Sequence, residues 1–259
     1  MNSADAKNPT ADLTVGHATR SFNEIGLPLR LGSPMDTKGQ FKGDMKLPFK
    51  SPLAKGERRF IDYCVPRFPR WVEGYHLTLT TILWSAGLII SGHLAQQDLR
   101  WLWLSSGMLF MQWFTDSFDG ALGRYRDTGI PKWGFYMDHL LDFIFMCSIL
   151  IGYALLFDGP YRNIFLILVP IFGAFMINSY LSFAATNEFK ITFLGMGPTE
   201  VRLLVIILNT VVILFGTGFV EKVLPMIPLF TMIALAVVVY RTQKYIWQID
   251  MEDKRRREI

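Results

Sequence analysis

Cysteine is scarce in this chain of 259 residues, with only Cys64 and Cys147 present. Cys147 falls in an apolar stretch and Cys64 on a flank expected to face a reducing compartment, so no disulfide is predicted. The four histidines, His17, His76, His93 and His139, are scattered without metal-ligand spacing, which argues against zinc. No phosphate-cradling glycine loop of the Walker type, no nucleophile elbow and no repeat of fixed period occurs. The first 47 residues lack any apolar run and are rich in Pro, Gly, Ser, Asp and Lys, a composition expected to stay disordered. That stretch also lacks the short apolar core of a signal peptide, so neither cleavage nor export is predicted.

Apolar residues are plentiful, at 51% of the chain, and they are bunched rather than spread. Bunching of this kind points to a bilayer. Six apolar segments, at about 77–95, 100–119, 135–157, 162–186, 200–220 and 224–247, can each cross a hydrocarbon core of roughly 30 Å. Ahead of them, residues 48–75 mix Lys55, Arg58, Arg59, Arg67 and Arg70 with Phe60, Ile61, Tyr63, Val65, Phe68 and Trp71. A basic amphipathic segment of this sort suits an anionic membrane surface. The expected fold is an all-α integral membrane protein of six transmembrane helices with an N-terminal amphipathic juxtamembrane helix. Its parts are a tail (1–47), the juxtamembrane segment (48–75), a catalytic bundle (76–248) and a charged tail (249–259). Lys and Arg divide 23 to three between the two sides of this arrangement, with only Arg100, Arg162 and Lys222 on the sparse side. Both termini are therefore expected in the cytoplasm. Because the basic residues flank the membrane segments, the net charge of +4 needs no nucleic-acid partner.

The stretch from Asp116 to Asp142, DSFDGALGRYRDTGIPKWGFYMDHLLD, organises the rest. Asp116 and Asp119 stand at i, i+3 with Gly120 and Gly123 on the same helix face, and Asp138 and Asp142 stand at i, i+4. Between the pairs, Asp127-Thr-Gly-Ile-Pro131 is a helix-breaking cluster that lets the two helices run antiparallel with their acidic stripes facing. Four carboxylates would then converge, which requires a cation, and an all-oxygen donor set suits Mg²⁺ or Mn²⁺. Acidic groups near membrane depth normally face a polar cavity and mark function. Asp127, in the turn, is read as solvated.

These residues resemble the CDP-alcohol phosphotransferase signature, D-x2-D-G-x2-A-R, a spacer, then G-x3-D-x3-D. The chain supplies Asp116, Asp119, Gly120, Arg124, nine residues, Gly134, Asp138 and Asp142, with Gly123 in place of the usual Ala. The resemblance implies a phospholipid-synthesising transferase that uses a CDP-linked substrate, a membrane lipid and two ions of Mg²⁺ or Mn²⁺, releasing CMP. By that resemblance Asp116, Asp119 and Asp138 are chiefly metal ligands, and Asp142 joins the metal site and serves as general base. The nucleotide would lie against Asp116, Asp119, Gly120 and Gly123, with Arg124 on its phosphates. A homodimer is left open.

Two arrangements of donor and acceptor exist in such a family. Asp138-His139, the Gly197-Pro-Thr-Glu-Val201 element and Ser51-Pro52-Leu53 are similar to the branch that moves choline or ethanolamine phosphate onto diradylglycerol. Leu140 and Leu141 replace that branch's usual Gly-Cys, and the Asn-containing start of the first span is missing from Tyr75–Thr81. Glu200, near an aromatic such as Trp133 or Tyr136, could bind an ammonium headgroup with His139, although a helix-start Glu also complements the dipole. Asn178 is the other polar residue within a span worth attention. In the alternative branch, CDP-diacylglycerol meets a soluble alcohol such as inositol, serine, choline or glycerol phosphate. Glycerol phosphate would need basic residues at the site, and beyond Arg124 and Arg126 there are only Lys132, Lys190 and Arg202. A cation or proton transporter is the remaining alternative, disfavoured because these aspartates crowd one interface rather than the midplane.

Cysteines introduced at Gln97 and Pro160 should react with impermeant reagents only from the outer side; labelling from the cytoplasmic side would reverse the orientation.

Overall fold

The computed structural model describes residues 54–186 and 198–258. The expected tail at 1–47, Ser51-Pro52-Leu53, Lys190 and Gly197 lie outside the described residues. Among the described residues every regular element is helical: α1 (Ala54–Cys64), α2 (Gly74–Leu94), α3 (Leu102–Arg126), α4 (Pro131–Leu156), α5 (Gly159–Thr186), α6 (Pro198–Phe215), α7 (Gly218–Val223) and α8 (Ile227–Arg257). Single 3₁₀ turns occupy Val65–Arg67, Leu99–Trp101 and Leu224–Met226.

The breaks follow local chemistry. At the start of α2, His76 Nδ1 accepts the Glu73 backbone N–H at 3.0 Å, satisfying a donor that the first turn would otherwise orphan. The end of α3 comes where Asp127 takes a left-handed conformation, φ 56°, so its N–H turns back to the Arg124 carbonyl. Pro131 then opens α4, its fixed φ suiting a first turn. The breaker cluster read from the sequence is thus the turn between the two motif helices.

Five helical stretches are long and apolar enough to cross a membrane: Gly74–Leu94, Pro131–Leu156, Gly159–Thr186, Pro198–Phe215 and Gly218–Arg257. This is the architecture of an integral membrane protein. The expected count of six includes α3, which at 25 residues is long enough. Its Gln112, Asp116, Ser117, Asp119, Arg124 and Arg126 make it less apolar than the other five. The helix α1 forms inside the segment expected to be juxtamembrane, and α8 runs past the apolar boundary at 248 to Arg257.

The centre of the bundle is α2, which packs along both α3 and α4, whereas α3 and α4 hardly approach each other. Glycine permits these contacts. A Cβ on Gly92 would lie 2.1 Å from the Gly152 carbonyl oxygen, so the α2 and α4 backbones touch directly. At the other end a Cβ on Gly74 would lie 2.5 Å from the Asp119 carbonyl oxygen, bringing α2 against the motif segment of α3. Helix α6 packs on α3, and α5 on α4 and α8. Polar pairs join the helices where no water competes: Tyr153 on α4 donates to Asn209 Oδ1 on α6 at 2.5 Å, and Asn209 Nδ2 donates to Ser106 on α3 at 3.0 Å. Asn178 donates to Thr242 at 3.3 Å, a tie between α5 and α8. Both cysteines are free thiols.

Gly92→Val should lower the unfolding midpoint in detergent, since forcing methyl groups into a closed contact costs about 1–3 kcal/mol. Gly107→Val is the control, because a Cβ there meets nothing within 4 Å. Equal effects of the two would refute the close-contact account.

Candidate functional site

Carboxylate oxygens of Asp116, Asp138 and Asp142 lie within 4.8 Å of one another. Helix α3 provides the first and α4 the other two, one turn apart on the same face. Since α3 and α4 do not pack together, the side chains reach across a space between the helix axes, and each keeps part of its surface open, from 23% for Asp116 to 38% for Asp142. That space is what a ligand would need.

Asp119 stands slightly apart. Its Oδ2 accepts from the Thr78 hydroxyl on α2 at 2.7 Å, and its other oxygen accepts from the Gly120 backbone N–H. Thr78 is buried, so this bond fixes the carboxylate against the central helix. Gly120 and Arg124 are exposed on the last turns of α3, and a Cβ on Gly120 would crowd the Arg124 guanidinium at 3.1 Å. Gly123 is buried against the turn, where its Cβ would meet Gly129 Cα at 3.3 Å. Gly134 sits in the first turn of α4 with open space beside its Cα.

Three neighbours were not assigned to the site from the sequence. Arg202 on α6 pairs with Asp116 Oδ2 at 2.8 Å and reaches Asp142 Oδ1 at 3.9 Å. Gln112, almost wholly buried one turn before Asp116, directs its amide Nε2 to Asp142 Oδ1 at 3.3 Å. Its Oε1 is buried without a hydrogen-bond partner. Thr78 is the third. The available signals were a polar residue at i, i+4 from the first motif aspartate and a cation in the opening turns of an apolar helix. Sequence placed Arg202 only among basic residues near the cavity.

His139 lies beside Asp138, Nδ1 to Oδ2 3.6 Å, with its ring against Phe135 at 4.2 Å and Tyr180 at 5.6 Å between centroids. The Tyr180 hydroxyl donates to the His139 carbonyl at 3.1 Å. Glu200 is in the first turn of α6. Trp133 meets Tyr75 edge to face at 6.4 Å, and Tyr136 is exposed. Arg126 is committed elsewhere: it donates to the Phe68, Pro69, Arg70 and Val72 carbonyls and approaches Glu73 at 3.6 Å. This fastens the end of α3 to the segment before α2, and Arg202 rather than Arg126 is the basic residue that meets the carboxylates.

The CDP-alcohol phosphatidyltransferase family model matches residues 75–241, which include every residue of this cluster. The chain belongs to the CDP-alcohol phosphatidyltransferase family. No curated protein and no solved structure matches it. Membership makes the protein a transferase of phosphate-containing groups in phospholipid synthesis, dependent on a divalent metal and acting on a CDP-linked substrate and a membrane lipid.

The cluster fits a divalent ion. Three carboxylates at this spacing repel one another, and the donors are oxygens, which hard cations prefer. Arg202 offsets one charge at one edge, and the unpaired Gln112 Oε1 leaves further acceptor capacity next to Asp142.

Thr78→Val should reduce activity in the protein that folds, because the hydrogen bond it removes from the Asp119 carboxylate contributes about 1.5–3 kcal/mol to holding that group in place. Thr78→Ser should restore most of it. Parent-like turnover in the Val variant would mean that Asp119 needs no fixing.

Proposed function

We propose that the chain transfers a phospho-alcohol from a CDP-linked donor to a hydroxyl acceptor at Asp116, Asp119, Asp138 and Asp142, releasing CMP. The observation that carries this is the convergence of Asp116, Asp138 and Asp142 inside the family-matched region. Bound divalent ions, Mg²⁺ or Mn²⁺ and two in number, would neutralise the donor pyrophosphate and the charge building on CMP. Asp116, Asp119 and Asp138 would hold them, with Asp142 sharing in the site. Asp142 would also accept the proton of the acceptor hydroxyl, with Gln112 orienting the carboxylate. The acceptor oxygen then bonds to the β-phosphorus as the bond from that phosphorus to the bridging oxygen breaks, and CMP leaves with the bridging oxygen. Gly120, Gly123 and Arg124 would receive the nucleotide, Gly123 through its backbone because its face toward Gly129 is filled.

The membrane arrangement proposed with this chemistry keeps α3 as a sixth span, both termini in the cytoplasm and the site at the cytoplasmic end. Residues 1–47 and 249–259 are then tails, 48–75 a juxtamembrane segment and 76–248 the catalytic bundle. The leading substrate version is a CDP-linked choline or ethanolamine and a diradylglycerol acceptor. Support comes from the Asp138-His139 pair, with His139 held between Phe135 and Tyr180 beside the carboxylates, and from Thr199-Glu200 opening α6, the helix that also supplies Arg202. Arg202 favours the competing version, CDP-diacylglycerol with a soluble alcohol, to the extent that its guanidinium contacts a phosphate on the acceptor side.

Purified protein in liposomes should release CMP only with Mg²⁺ or Mn²⁺, and a screen of CDP-choline, CDP-ethanolamine and CDP-diacylglycerol against diacylglycerol and free alcohols will separate the versions. Asp142→Asn should lose about 10²–10⁴-fold in turnover while retaining nucleotide. Asp116→Asn, Asp119→Asn and Asp138→Asn should weaken metal binding as well. Metal-independent turnover, or substantial activity of Asp142→Asn, would overturn the assignment.

A further inference from the structure

The stretch from Gly56 to Val72, ahead of α2, turns its positive charge outward. Arg58, Arg59, Arg67 and Arg70 are exposed there, and Asp62 is the one exposed acid of that stretch. Trp71 and Tyr63 stand out beside them, 77% and 63% exposed, and the Arg67 guanidinium lies 3.6 Å from the centre of the Tyr63 ring. The opposite face is taken up by protein. Ile61, Val65 and Phe68 pack on Phe118 and Leu122 of α3, with Phe68 and Phe118 5.2 Å apart between ring centroids.

Two fastenings hold this segment to α3. Glu57 accepts from Trp113 Nε1 at 2.9 Å and from the Ser117 hydroxyl at 3.1 Å. At the other end Arg126 holds the carbonyls of Phe68, Pro69, Arg70 and Val72. Asp116 and Asp119 fall between Trp113 and Arg126 in the chain, so the segment is strapped along the part of α3 that carries both aspartates. Its backbone is already ordered, and a partner that binds the outward face has little freedom left to remove.

We propose that the outward face docks anionic phospholipid headgroups, and that docking sets the position of α3, so that turnover depends on the charge of the bilayer. The occupant follows from charge, rings and place. Guanidinium groups pair with phosphates through two parallel hydrogen bonds, and exposed Trp and Tyr settle at headgroup level. The segment runs directly into α2 at Gly74, a helix apolar enough to cross a membrane, which puts it where headgroups are. Because Ile61, Val65 and Phe68 are spent on α3, they cannot sink into the bilayer as in an isolated amphipathic helix. Attraction to the surface therefore falls to the arginines, and lipid charge decides it. The effect on turnover rests on the functional reading above, whereas the docking itself does not.

The test uses the full chain in phosphatidylcholine vesicles with and without phosphatidylglycerol. Trp71 fluorescence, taken as the difference between the parent and Trp71→Phe, is read beside CMP release. Brominated phosphatidylglycerol should quench that signal more than the same mole fraction of brominated phosphatidylcholine. Raised salt, or the combined variant Arg58→Gln/Arg59→Gln/Arg70→Gln, should remove the preference. Turnover should rise at least about fivefold with phosphatidylglycerol, the weight of a single basic side chain at such a surface. Glu57→Ala should keep the quenching preference and lose that rise, and Glu57→Gln, which retains an acceptor for Trp113, should restore most of it. Equal quenching by the two brominated lipids overturns the docking surface even where the arginine variant fails to fold. A Trp71 signal that responds to soluble polyglutamate instead overturns it in favour of an acidic protein partner. Preferential quenching in an active parent whose turnover ignores lipid charge overturns the coupling to α3. Preferential quenching in a parent that releases no CMP in any vesicle sustains the surface and sinks the transferase reading, and equal quenching in an active parent does the reverse.

Discussion

Repulsion among carboxylates is the constraint on which the bundle depends. Bringing Asp116, Asp138 and Asp142 within 4.8 Å, in a chain otherwise suited to hydrocarbon, is unfavourable unless positive charge and hydrogen-bond donors surround them. The fold answers with groups from three helices: Arg202 from α6, Gln112 from α3, and Thr78 from α2 on the neighbouring Asp119. Each of these helices must therefore be held to a fraction of a hydrogen-bond length. A divalent ion bound there would supply the remaining charge, and the family is dependent on such an ion.

Holding them is the task of α2. Had α3 and α4 packed directly against one another, their acidic faces would have closed together and left no room for substrate. Instead both lean on α2, and at Gly92–Gly152 and at Gly74 the absence of side chains brings backbones into contact. Close approach on this side of α3 and α4 leaves the carboxylates able to meet across a gap. Arg126 and Glu73 then lock the end of α3 to the start of α2, and the Tyr153–Asn209–Ser106 chain ties α4, α6 and α3 further along the bundle.

Helical type, the turn at Asp127–Ile130 and the identity of the acidic residues were legible because each depends on local rules: apolar run length, helix-breaking residues and the 3.6-residue period. The spacing of Asp138 and Asp142 alone puts both on one face of α4, and the motif alone selects the family. The count of spans was less legible, since Asp116, Asp119 and the other polar residues of α3 lower its apolar content.

Tertiary structure decided which groups complete the site. Arg202 is 86 residues from Asp116, and no periodicity links a cation in α6 to a carboxylate in α3. Thr78 looked like one more small polar residue in an apolar span until the approach of Gly74 to the Asp119 carbonyl set its hydroxyl against that carboxylate. Arg126 and Arg124 are both basic and only two positions apart, yet one is spent on backbone carbonyls and the other remains exposed. Sequence by itself determined the chemistry available, because residue type and local spacing suffice for that. Partnership depends on how helices distant in the chain are placed, and here that placement is set by backbone contacts of α2 that leave no distinctive mark on the side-chain pattern.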